Sequence, residues 1–238
     1  MEIATTLPAP GPAARTSLAE QAYERLEEMI VTLELPPGDV VTEGELAQRI
    51  GIGRTPLREA VQRLANQRLV TTLPRRGLRV TEINLTDHLG VLETRKVLDA
   101  LIAASAARRA TPEQRERLRL FSVEMEKAAS TGDLVAFLEL DQEFDRHLAE
   151  ASRNPAATNA IAPLHVHCRR FWYYHKHGGD LIRAARLHEN LIAAVCEGDP
   201  DRAAEASNAL LEYLESFTRA ALELYTSPYT PPGGGRRE

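Results

Sequence analysis

The chain has 238 residues, 43% hydrophobic and 26% charged, with a formal net charge of −5. That is the balance of an ordinary globular protein, long enough for one large domain or two modest ones. Its two cysteines, Cys168 and Cys196, have no CxxC spacing, which argues against a disulfide framework and for a reducing compartment. No basic residue precedes Arg15, Pro8, Pro10 and Pro12 interrupt the start, and no apolar run approaches the roughly 20 residues needed to span a bilayer. These features give the expectation of a soluble, cytoplasmic protein with no membrane partner.

Taken in chain order, residues 1–16 are rich in Pro, Ala and Thr and read as a disordered arm. Leu18, Ala22, Leu26 and Ile30 recur at helical spacing, and Leu35-Pro36-Pro37-Gly38 stops that helix. A second helix is expected from about Glu43 to Ile50, with Gly51 in the break. A third runs from about Thr55 to Gln67 with Leu57, Val61 and Leu64 inward. Two β-rich runs, Leu69–Leu73 and Leu78–Ile83, flank Pro74-Arg75-Arg76-Gly77 and read as a hairpin. Helix, helix, turn, helix, hairpin is the order of a winged helix-turn-helix, assigned to residues 17–83.

From residue 84 to 226 no credible strand is read. Helical stretches near 86–108, 112–130, 133–151, 157–176, 181–197 and 200–225 are separated by breaks such as Thr111-Pro112, Gly132-Asp133, Asn154-Pro155, Gly178-Gly179 and Gly198-Asp199-Pro200. Short loops between helices imply an antiparallel bundle. Residues 227–238 read as a disordered tail. The fold class is therefore mainly α: a winged head with a small β-hairpin, then a helical bundle.

Charge is distributed unevenly over this plan. Between Arg49 and Arg79 there are eight arginines and one acid, Glu59, whereas from Thr81 to the end nineteen basic residues face twenty-four acidic ones. A basic island in an acidic chain fits a polyanion partner. Gly53, Arg54, Thr55 and Arg58 would occupy the first turns of the third helix, with Arg54 and Arg58 on one face. A guanidinium there can read a guanine edge or clamp a phosphate, and Thr55 can cap the helix or bond a phosphate. Arg75, Arg76 and Gly77 stand at the hairpin tip, where a wing meets DNA.

The stretch Leu18–Val80, and in particular PPGDVVTEGELAQRIGIGRTPLREAVQRLANQRLV, resembles the DNA-binding domain of the GntR family. That resemblance implies that Arg54, Thr55 and Arg58 are the main contacts, on a double-stranded pseudo-palindromic operator bound by a homodimer. Gly44 and Gly53 depart from the residues usual at their positions.

In the second half, Asp141 and Asp145 lie four apart, and His188 follows on a later helix. Such a set can hold a divalent metal, serve as acid and base in a helical metal-dependent hydrolase, or lie on the surface. No nucleophile–base motif or HExxH cluster accompanies it, which weighs against the hydrolase. The landmarks LETRKVLDA, DQEFDRHLAEASRNP and LHENLIAAVCEGDPDRAA resemble the helical sensor domain of the FadR-type branch, an FCD-like domain. The resemblance implies a small-molecule effector and, in many relatives, a metal held by one Asp and three His. Here Asp141 and His188 match, Asp145 replaces a His, and Leu210 or Tyr213 stands where the last His is usual, so the ligand set is incomplete. Arg95 resembles an arginine that points into the effector cavity, suited to a carboxylate; a salt bridge to Asp99 is the alternative. His167, Phe171 and His175 of HVHCRRFWYYHKH would share a face lining that pocket, or pack in the core. Together these features imply a ligand-responsive regulator, a repressor, rather than an enzyme.

Overall fold

The computed structural model describes residues 17–175 and 180–226. The expected arm at 1–16, the tail at 227–238, the Gly178-Gly179 break and His177 lie outside the described residues. The head comprises α1 (Leu18–Val31), β1 (Val40–Val41), α2 (Glu43–Ile50), α3 (Arg54–Asn66), β2 (Val70–Leu73) and β3 (Gly77–Val80). Behind it follow α4 (Leu85–Arg109), α5 (Pro112–Thr131), α6 (Leu134–Ser152), α7 (Pro155–Tyr174), α8 (Leu181–Glu197) and α9 (Pro200–Thr226). This is the winged helix-turn-helix followed by a helical bundle that the sequence predicts.

Local chemistry explains the boundaries. Ser17 caps α1 by accepting from the Glu20 amide, and Thr42 with Glu45 forms a capping box at the start of α2. Gly51 ends α2 at φ 68, a conformation that costs a side chain little only when there is none. Asn84 accepts from the Thr86 and Asp87 amides and starts α4 immediately behind the wing.

The sheet has the order β1-β3-β2 and is antiparallel throughout. The sequence predicts a two-stranded hairpin; the structure adds β1, with Val40 opposite Arg79 and Val41 opposite Leu78. A two-residue strand is too short to show an alternation. Gly77 is what lets β1 close on the wing: its φ is 103, and a Cβ there would stand 2.3 Å from the Val41 carbonyl oxygen.

Two main apolar cores result, with a small third cluster of Leu92, Cys168, Leu210 and Leu211. Ala22, Leu26, Ile30, Leu46, Leu57, Leu64, Leu69 and Val80 fill the head. Phe121, Met125, Phe144, Ile161, Phe171, Leu191 and Val195 belong to the bundle. Val166 of α7 is the exception, since it is buried in the core of the head. At roughly 25 cal/mol per Å² of buried apolar surface, one such anchor is worth about 1.5–3 kcal/mol if fully buried. Helix α7 therefore joins the two halves.

Candidate functional site

The structure groups the head residues as expected in kind, with one change of role. Gly53 is the N-cap of α3 and supplies no side-chain cap, so Thr55 lies inside the helix and does not cap it. Thr55 and Arg54 are exposed on the first turn, which leaves their side chains available to a partner. Arg58 is also exposed, and its Nε donates to Glu43 of α2 over 2.8 Å. Arg75 and Arg76 form the turn between β2 and β3, exposed, with Arg75 at φ 63. Other arginines of the basic island serve the fold: Arg63 bonds Glu20 over 2.5 Å and lies over the Tyr23 ring.

Inside the bundle, Arg95, Asp141, Asp145 and His188 line one cavity of about 40 Å³ together with Cys168, Arg169 and Trp172. At about 10–15 Å³ per water this space holds roughly three waters, the bulk of one carboxylate group. All of the charged groups are buried or nearly so, which removes the surface reading of Asp141, Asp145 and His188. Arg95 donates to Asp99 over 2.9 Å, the expected salt bridge, and also lines the cavity. Burial opposes its charge, but Asp99, Cys168 and Asp145 outweigh that and keep the guanidinium protonated.

The surroundings of His188 in the cavity and of His165 beside it favour the protonated, cationic form of both. His188 directs Nδ1 at the Ala184 carbonyl (2.9 Å) and Nε2 at Asp141 (3.0 Å). His165 hydrogen-bonds Asp99 through Nε2 (3.1 Å), and its Nδ1 lies 2.9 Å from the Asp145 carboxylate as an ion-pair contact. Carbonyls and carboxylates only accept, so each ring satisfies both partners only when both nitrogens carry protons. Burial pulls the other way, yet the facing carboxylates raise both imidazoles above their usual range. Burial likewise opposes the charge on Asp99 and Asp141, and their cationic partners lower both below the usual carboxylate range.

These pairings compete with the metal that the resemblance implies. A metal would have to displace the protons and partners that these groups already hold. Here Asp141 is taken by His188, and Asp145 by His165 with Arg169 at 3.9 Å. Of the two candidates for the position of the missing histidine, Tyr213 bonds the backbone of Asp180 and Leu210 lines the cavity with an apolar side chain. Among the described residues no group of three or more His, Cys, Asp and Glu is arranged to hold a metal ion. The residues present do not fit one.

The set His167, Phe171 and His175 is not brought to this cavity. His167 points to the head, with Nε2 donating to the Gln67 carbonyl at the end of α3 (2.8 Å). Phe171 is buried between His88, stacked at 3.9 Å, and the edge of Phe217, and His175 lies against it. The cavity instead takes Cys168, Arg169 and Trp172 from α7, while His165 braces its carboxylates. Sequence reading missed His165, Arg169 and Arg170. Arg170 is almost fully buried and bonds Thr81 at the end of the wing, through its carbonyl and, at 3.1 Å, its hydroxyl. A wider recess of about 830 Å³, lined by Arg68, His88, His167 and Arg170, lies between wing, α4 and α7. It is larger, but the charged pairs gather in the small cavity.

Comparison with known proteins follows the same division. Residues 18–80 match the family described as bacterial regulatory proteins, gntR family, and residues 90–213 match the FCD domain. An uncharacterized HTH-type transcriptional regulator in an unstable DNA locus of Streptomyces ambofaciens is 30% identical over 216 residues, covering 86% of this chain and 88% of that protein. A probable D-xylose utilization operon transcriptional repressor of Paenarthrobacter nicotinovorans is 28% identical, covering 87% and 89%. The solved structure of Escherichia coli McbR/YncC has the same fold, with a TM-score of 0.76 at 21% identity, covering 88% of this chain and 99% of that one. These matches are to regulators, not enzymes, and they set aside the hydrolase reading of Asp141, Asp145 and His188.

Proposed function

The chain belongs to the gntR family of bacterial regulatory proteins, as a transcriptional regulator with an FCD effector-binding domain behind its DNA-binding head, and on that premise we propose that it is a repressor binding a pseudo-palindromic operator as a homodimer, with a small carboxylate as effector. Residues 17–83 form the DNA-binding domain and 84–226 the effector-binding and dimerisation domain. Two α3 helices about 34 Å apart, one turn of DNA, would read the two half-sites. Gly53 lets backbone approach the groove, Arg54, Thr55 and Arg58 contact DNA from α3, and Arg75, Arg76 and Gly77 contact it from the wing. Support for the dimer comes from large apolar side chains left exposed one turn apart: Val97 (72%) and Leu101 (44%) on α4. Support for repression comes from the repressor among the relatives.

The observation that carries the effector assignment is Arg95, a guanidinium 7% exposed and facing a small cavity of carboxylate size. Its planar fork suits a carboxylate. Among the described residues no helix is long and apolar enough to cross a membrane. The test is fluorescence anisotropy of the full chain on DNA from upstream of its own gene, with shuffled DNA as control. Tight, salt-sensitive and sequence-selective binding supports the reading; equal affinity for both DNAs contradicts it.

A further inference from the structure

Charge balance around the cavity is incomplete within the bundle. Arg95, His165, Arg169 and His188 are cations, and Asp99, Asp141 and Asp145 are the carboxylates that face them. The fourth carboxylate comes from the head: Glu27 of α1 lies 3.6 Å from Arg169. Arg169 is thus an 8% exposed side chain shared between Asp145 at 3.9 Å and Glu27 at 3.6 Å, both longer than hydrogen bonds. A guanidinium so held has unused donor geometry, since short, paired contacts are its strongest mode. It also stands between two spaces, lining both the small cavity and a groove of about 310 Å³ between α1 and the bundle.

Glu27 in turn holds the head. The Tyr23 hydroxyl donates to Glu27 and lies 2.9 Å from the side-chain amide of Gln67, the residue that caps the C-terminus of α3. A continuous run of polar contacts therefore leads from the cavity through Arg169, Glu27 and Tyr23 to the end of the helix that carries Arg54 and Arg58.

We propose that Arg169 is a second anion-binding residue of the cavity, and that a monocarboxylate entering it replaces Glu27 as the partner of Arg169 and so breaks the polar link from the cavity to α1. One negative charge enters and one leaves, so the buried cluster stays neutral, which burial demands. The groove that leads to Arg169 is rimmed by Glu24, Glu28 and Glu139, with Arg146 as the only further cation among the described residues that line it, a net negative rim that disfavours more highly charged anions such as phosphate esters. The exchange rests on the assignment of the cavity around Arg95 as the effector site, and adds to it the ligand charge and the route of the signal. Because the coupling is reciprocal, operator DNA and the carboxylate weaken each other by the same factor.

Acetate, lactate and benzoate, titrated at constant ionic strength against chloride, serve as probes on the wild type, Arg95→Lys, Glu27→Gln and Glu27→Asp. Glu27→Gln keeps the contact with Tyr23 but removes the competing charge. It is expected to bind the best probe about tenfold more tightly than wild type, within the roughly 5–150-fold range of such couplings, while its operator affinity responds less than about twofold to the probe. Glu27→Asp, with a shorter reach to Arg169, should shift both readouts in the same direction. If Glu27→Gln binds and responds as wild type does, and Arg95→Lys still loses the probe, the cavity is the effector site but the exchange is wrong. If no probe raises the melting temperature of the wild type, or Arg95→Lys binds it equally well, both are wrong.

Discussion

His167 of the bundle donates Nε2–H to the backbone carbonyl of Gln67, 2.8 Å away, and so fixes the C-terminal end of α3 to a helix of the other half. Burial lowers the imidazole's proton affinity, so it is neutral at physiological pH and does not depend on a counter-charge. His167→Ala leaves that carbonyl without its partner and should cost about 1–3 kcal/mol. Because the bond crosses between the two cores, calorimetry is expected to show the head melting earlier than the bundle. A single transition at the wild-type temperature would mean the contact carries no coupling.

On α3, Arg54→Ala and Arg58→Ala are each expected to lower operator affinity by roughly ten- to a hundredfold and relax sequence choice, as loss of a base-edge contact does. Arg75→Ala and Arg76→Ala should weaken all DNA alike and reduce the salt slope by about one each. Glu43→Gln frees Arg58 from its ion pair and should tighten binding. Unchanged operator affinity in both α3 variants would displace the interface from this helix.

The paired histidines and aspartates give stability a defined pH profile. His165 and His188 titrate above their usual value in the folded chain, so their contribution is complete below about 6.5, the unfolded value, and is lost as pH rises through the folded ones. Asp99 and Asp141 titrate below 3.8, so theirs is present above that value and lost as pH falls through the folded ones. The melting temperature should therefore be highest between these limits, and His188→Gln should flatten the alkaline fall. An alkaline limb identical in His188→Gln and wild type would contradict the cationic assignment.

Metal provides a separate check. With Asp141 and Asp145 already held by protonated histidines, Mn²⁺, Zn²⁺ and Ni²⁺ are expected to leave the melting temperature unchanged at neutral pH, and chelator to have no effect. A metal-dependent rise of several degrees that Asp141→Ala abolishes would overturn this.

The order of elements and the α3 residues were legible in the sequence because periodicity, caps and breaks all act locally. The bundle site was legible only in part. Asp141, Asp145, His188 and Arg95 were recognisable, and they do line one cavity. The reading of α7 chose the face of His167, Phe171 and His175, whereas His165, Cys168, Arg169 and Trp172 serve the cavity. Helix α7 is buried on both sides, by the head through Val166 and by the bundle through Phe171, so apolar periodicity does not distinguish its faces. The identity of the partner facing each side chain, such as Asp145 for His165 or Glu27 for Arg169, comes only from the fold.

The most direct measurement is operator affinity of wild type and Arg95→Lys across a titration of small carboxylates. Lysine keeps the buried charge beside Asp99 but loses the planar fork, so the chain should fold and bind operator while responding at least about tenfold more weakly to the carboxylate. An operator affinity that shifts identically with carboxylate in both proteins would place the effector site elsewhere.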